Sequence, residues 1–175
     1  MTSLKHVKQA LLVCSLGATL LASTARAESA PGAIRVQGGG IALFDESFNF
    51  DSDPDRDGSA FSFNVVIGAD GSFRGNLLYV MAGRTDLDGA GPQVMQCPVS
   101  DAQVNPDGSV TLSSEGVLQT WKGGFLPAKL SLTVTAGGAG VGTIQAKFTI
   151  PAYGLYDPGV DFPVQTLVSG QIKIR

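Results

Sequence analysis

Histidine and cysteine are almost missing from this sequence: of 175 residues one is histidine, His6, and two are cysteines, Cys14 and Cys97. Long apolar runs are also scarce. The one from Ala10 to Ala22 covers about a dozen residues, short of the roughly 20 a helix needs to cross a bilayer, and no second run follows. Lys5, His6 and Lys8 precede it and Ala25-Arg26-Ala27 follows it, which is the basic, apolar and small-x-small pattern of an export signal. Residues 1–27 are therefore expected to be cleaved, leaving 28–175 as one domain, secreted or periplasmic. A lipid anchor on Cys14 is disfavoured, because Val13 stands where such signals need a small residue.

With the leader go His6 and Cys14. What remains cannot build a Ser-His-Asp triad, a Cys-His nucleophile or a zinc site of the usual His/Cys type. Cys97 alone cannot close an internal disulfide, and it reads as a small buried residue or, in the alternative, as half of a bridge between two chains. Charge is sparse, at 15 % of residues. Three of the 12 basic residues lie in the leader and none of the 15 acids does, so nine bases face fifteen acids and the exported chain carries −6. That balance speaks against nucleic acid or an anionic membrane as partner and for a cation.

Helical periodicity is rare as well. Alternation of apolar and polar residues recurs instead, bounded by Gly, Asp-Gly or Pro, as in Phe61-Ser-Phe63-Asn-Val65 and Leu130-Ser-Leu132-Thr-Val134. Gly68-Ala-Asp70-Gly71 and Asn105-Pro-Asp107-Gly108 are hairpin turns by composition. Gly38-Gly39-Gly40 predicts a bulge or close crossing in the first strand, and Pro98 a bulge or an edge position in the fourth. The predicted fold is all-β: a single antiparallel meander of eight or nine strands closed as a β-barrel, with a β-sandwich as the alternative. Val110–Glu115 and Val117–Trp121 read as two short strands, and 151–163 as a long loop.

One stretch has more chemistry than folding requires. In Asp53-Pro-Asp55-Arg-Asp57-Gly58-Ser59, alternate carboxylates in a curled loop converge on one point, glycine allows the sharp turn, and the carbonyl of Ser59 can face the same point. Hard oxygen donors at that density suit calcium. Over about eight residues the stretch resembles the calcium loops of thrombospondin type 3 repeats, dockerins and EF-hands. The resemblance implies Asp53, Asp55 and Asp57 as side-chain ligands and Ser59 as a backbone ligand. Where EF-hands carry a bidentate Glu this chain has Asn64, which leaves Asp51, Asp45 or Glu46 to complete the set. The competing reading is a solvated acidic turn.

Asp86 and Asp88 form a thinner acidic turn. In the last long loop Tyr153, Tyr156, Asp157 and Asp161 gather aromatic and acidic groups that suit contact with a glycan or a protein. Against that stands a plain packing role, with Tyr153, Tyr156 and Phe162 plugging a barrel end or covering a sheet face. No catalytic residue is assigned, since the acids sit in turns and lack the apolar surroundings that raise a carboxyl pKa. Overall the chain resembles small secreted bacterial β-proteins of unknown function, in Gly38-Gly39-Gly40, Phe61-Ser-Phe63 and Ser169-Gly170-Gln-Ile172-Lys-Ile174. The expected function is a secreted or periplasmic non-enzymatic domain for binding or surface interaction, stabilised by calcium. The alternatives are a lipocalin-like barrel for a small apolar molecule and a carboxylate-dependent enzyme.

Overall fold

Strict alternation forces one face of each strand inward, and with eight long strands the way to bury every inward face without open edges is closure. The computed structural model describes residues 32–45, 58–82, 92–120 and 122–175. Residues 1–31, 46–57 and 83–91 and Trp121 lie outside them. Ten antiparallel strands form one sheet: β1 (Ile34–Leu43), β2 (Gly58–Ile67), β3 (Phe73–Ala82), β4 (Gln93–Val104), β5 (Val110–Gln119), β6 (Phe125–Thr135), β7 (Gly137–Gly138), β8 (Thr143–Ile150), β9 (Leu155–Asp161) and β10 (Gln165–Ile174). Their order is β7-β10-β1-β2-β3-β4-β5-β6-β8-β9, with β10 also paired to β8, so eight strands close a ring.

The closure is uneven. Ten residue pairs join β1 to β2, whereas β10 meets β8 through two, Gln165 with Ile144 and Thr166 with Thr143. The rest of that edge of β8 is taken by β9, through Lys147–Asp161, Phe148–Val160 and Ile150–Leu155. The seam between β1 and β10 is the tightest: Gly40 lies opposite Gly170, and the register shifts between Ile41 and Ala42. A Cβ on Gly38 would sit 2.5 Å from Cζ of Phe63, so the glycine leaves the room that this ring fills. The glycine triplet is thus the close crossing its composition predicts.

Side chains fill the ring in rows set by the register. Phe61, Tyr79 and Met95 form one row across β2, β3 and β4, and Phe63, Leu77 and Cys97 the next. In the ring order β3 stands opposite β8, and Tyr79 and Phe148 meet edge-on at 5.5 Å between ring centroids. Phe162 then packs on Phe148 at 5.3 Å. The middle of the barrel is therefore occupied at this level.

Two hairpin turns share one solution. In Asp70-Gly71-Ser72 and Asp107-Gly108-Ser109 the aspartate Oδ1 accepts from the serine N–H at 2.9 Å and from its Oγ at 2.6 Å, with the glycines at φ +80° and +83°. These bonds hold both carboxyls below the ordinary aspartate range.

Three local expectations change. The two short strands after the Asp107 turn are one strand, β5, because Gly116 keeps its place opposite Ala128. The long loop contains β9, whose alternation is broken by Pro158-Gly159 and so escapes a period-2 search. Pro98 is neither at an edge nor at the bulge: β4 is paired on both sides, its ladder with β5 keeps one register from Met95 to Val99, and the shift falls beyond the proline, between Val99 and Asp101.

Cys97 is buried against Gly116, and burial pushes its thiol above the ordinary range despite an opposing hydrogen bond to Ser114. At neutral pH the native protein is therefore expected to resist a thiol-alkylating reagent and to react in full only after denaturation. Fast labelling of the folded chain would contradict this packing.

Candidate functional site

The connections that carry the acidic motifs leave the ring at one end. Leu43 pairs with Gly58, and Gly58 with Ala82, so the strand ends that flank 46–57 and 83–91 lie side by side. Asp51, Asp53, Asp55 and Asp57 fall outside the described residues, as do Glu46, Asp86 and Asp88. Ser59 is inside them and is 1 % exposed: its hydroxyl points into the barrel and pairs with the Tyr79 hydroxyl at 2.5 Å. Asp45 is exposed at the end of β1. Among the described residues, no group of three or more His, Cys, Asp or Glu side chains is placed to hold a metal ion.

Beneath that end lies a neutral polar network. Tyr79, 1 % exposed, meets Ser59 from the neighbouring strand and accepts from Nε2 of the fully buried Gln165 at 3.1 Å. Burial lifts the Tyr79 hydroxyl pKa above its ordinary value, with the two hydrogen bonds pulling the other way. Gln93, at the head of β4, donates to the Tyr153 hydroxyl at 3.4 Å. Tyr153 sits in the short 3₁₀ turn that follows β8 and packs against the core. It acts as a plug, and so does buried Phe162. The packing reading of the aromatic loop therefore holds for these two, whereas Tyr156 is 68 % exposed.

The remaining two candidates of that loop go elsewhere. Asp157 lines a groove of about 190 Å³ on the outer face, whose floor carries Ser113, Glu115, Lys129, Ser131 and Lys147. These residues share a face because outward positions repeat every second residue: Ser113 pairs with Ser131 and Ser131 with Lys147, and Glu115 pairs with Lys129 and Lys129 with Thr149. Asp161 binds Lys147 at 3.3 Å and Glu115 binds Lys129 at 3.0 Å. The Lys129 ammonium is held above the ordinary lysine range, first by its hydrogen bond to Glu115, then by that carboxylate's charge and by that of Asp157. A second, mainly apolar hollow of about 240 Å³ adjoins the first; the two share Glu115, Lys129 and Thr149, and the hollow adds Pro127, Ala128 and Pro151.

The structure thus separates four residues that the sequence placed in one loop. Tyr153 closes the end of the ring, Asp157 lines the lateral groove, Asp161 pairs with the groove's Lys147, and Tyr156 stands exposed. Sequence reading missed the groove floor. Its signal was the wet face of the β6–β8 hairpin, Lys129-x-Ser131-x-Thr133 beside Gln145-x-Lys147-x-Thr149, in which hydroxyls and charges alternate. Gln93 and Gln165, buried polar groups at strand starts, were missed as well.

No family model, curated protein or solved structure matches this chain.

Proposed function

We propose that the chain is an exported, non-enzymatic binding barrel that holds its ligand in the lateral groove under β9, and that the acidic connection Asp51–Asp57 with Ser59 binds calcium as a structural staple. The observation that carries this reading is the convergence of Asp157 and Asp161 from β9 on the hydroxyl- and lysine-bearing face of β5, β6 and β8. A groove walled by side chains of four strands is rigid, which keeps the ordering cost of binding low. A small apolar ligand enclosed in the barrel is the weaker reading, because Tyr79 and Phe148 meet across the ring. Catalysis draws no support from Asp70 and Asp107, which sit in turns, or from Glu115 and Asp161, which face lysines.

Calcium has a structural role here. With free ion at about ten times its dissociation constant, the native state gains on the order of 1.4 kcal/mol, a useful increment for a domain without disulfides. The mature protein is expected to melt roughly 5 °C higher in millimolar calcium than in EDTA, and the Asp55→Asn variant to lose most of that difference. An unchanged wild-type melting temperature would end the ion hypothesis. Turnover in a broad hydrolase or isomerase screen, lost on neutralising one loop aspartate, would end the non-enzymatic one.

A further inference from the structure

The ligand class of the groove can be read from its chemistry. Both of its lysines are paired, Lys129 with Glu115 at 3.0 Å and Lys147 with Asp161 at 3.3 Å, and Asp157 adds one further carboxylate beside them. An incoming polyanion would have to break one of these pairs, and a polycation would meet one extra carboxylate next to two lysines, so the groove offers little to either. Its floor strands β5, β6 and β8 are each paired on both sides, which leaves no backbone ladder for an extended peptide to join. What it does offer is side-chain hydroxyls, Ser113, Ser131 and Thr149, each both donor and acceptor. Against these stands the apolar hollow of Pro127, Ala128 and Pro151, which shares its border.

A ligand that matches both halves has many hydroxyls, each donor and acceptor, and an apolar face of C–H groups. We propose that the groove is a subsite for a neutral glycan, with Asp157 and Ser131 bonding sugar hydroxyls and the Pro127–Pro151 side receiving a sugar face. This rests on the binding reading given above. The volume of about 190 Å³ lies below the range of about 300–1,000 Å³ typical of drug-sized ligands, so the site takes one or two sugar rings of a longer chain. The glycan lies along the sheet rather than entering the barrel.

The test uses the mature protein in calcium, titrated with three sets of probes: neutral hexasaccharides (maltohexaose, cellohexaose, hexa-N-acetylchitohexaose), oligogalacturonate as the acidic sugar, and an extended uncharged hexapeptide. Asp157→Ala and Ser131→Ala are made beside the wild type. Both positions lie outside the core, and circular dichroism checks that each variant is folded. The expected result is binding of at least one neutral hexasaccharide, weakened about threefold to tenfold by each substitution, the loss that one hydrogen bond accounts for. Binding of the acidic sugar or the peptide alone, weakened by the same substitutions, would keep the groove as the binding surface and overturn the glycan assignment. Binding untouched by either substitution, or none at all, would overturn both.

Discussion

Gly170→Ala is expected to lower the melting temperature by roughly 10 °C. Two costs add. Gly170 has φ +91°, where an L-residue loses about 1–2 kcal/mol. Its Cβ would also collide with the carbonyl oxygen of Gly39, a backbone atom that cannot turn aside. Together they amount to about 3 kcal/mol, and a domain of this size loses roughly 2–4 °C per kcal/mol. The position matters because Gly170 lies opposite Gly40 on the seam that joins the last strand to the first. If β10 is displaced, the edges of β1 and β8 open together. Gly71→Ala is the control: its φ is +80°, but a Cβ there meets nothing within 4 Å, so it bears the backbone cost alone. Calorimetry or thermal circular dichroism of the pair separates the two contributions. Equal losses would mean that the seam is not as close as described.

The second large effect belongs to Tyr79→Phe. Deleting one oxygen leaves Ser59 and Gln165 without their shared partner inside the barrel, and each stranded group costs about 1–3 kcal/mol. Allowing for partial relaxation, the total is about 2–4 kcal/mol. The triple variant Ser59→Ala/Tyr79→Phe/Gln165→Leu removes the stranded groups as well, together with the unpartnered Oε1 of Gln165, and is expected to recover most of the loss, because replacing all partners of a buried hydrogen bond by apolar groups is close to neutral. A triple variant as weak as the single one would show that the network itself is not the source. Alkaline pH gives an independent reading. Burial raises the Tyr79 pKa in the folded state, so its contribution to stability is complete below the unfolded tyrosine pKa of about 10 and is lost as pH climbs through the folded value. Tyr79 is expected to ionise only when the protein unfolds at high pH, which absorbance at the tyrosinate band during an alkaline titration checks.

Much of this barrel was legible because its strands obey one simple rule. Phe61-Ser-Phe63 and Leu130-Ser-Leu132 alternate without exception, and Asp70-Gly71 and Asp107-Gly108 mark their turns, so element type and hairpin order follow from local composition, whereas closure, with a sandwich as the alternative, is decided by the pairing of β10 with β8. The failures occur where a residue serves the tertiary fold against its local tendency. Gly116 looks like a strand break but lies opposite Ala128 in an unbroken ladder with β6. Pro158-Gly159 hides β9, which exists because β8 has a free edge beyond its two pairs with β10. The candidate site divides in the same way. The aspartates and tyrosines of 153–161 are conspicuous by type, but their division between the end of the ring and the outer groove depends on where β9 docks. Ser113, Ser131 and Lys147 are ordinary wet-face residues until three strands bring them to one level. Gln165 is unremarkable in sequence and fully buried in the fold, since whether a polar residue at a strand start faces in or out is decided by the register of β10 alone.

The most direct test of the proposed binding groove is amide chemical-shift mapping of residues 28–175 in calcium, titrated with the neutral hexasaccharides. The expected perturbations cluster at Ser113, Glu115, Lys129, Ser131, Lys147 and Asp157 and leave Ser59, Tyr79 and Gln165 unmoved. Perturbations centred on those three interior residues, with the outer groove silent, would place the ligand inside the ring and contradict the account.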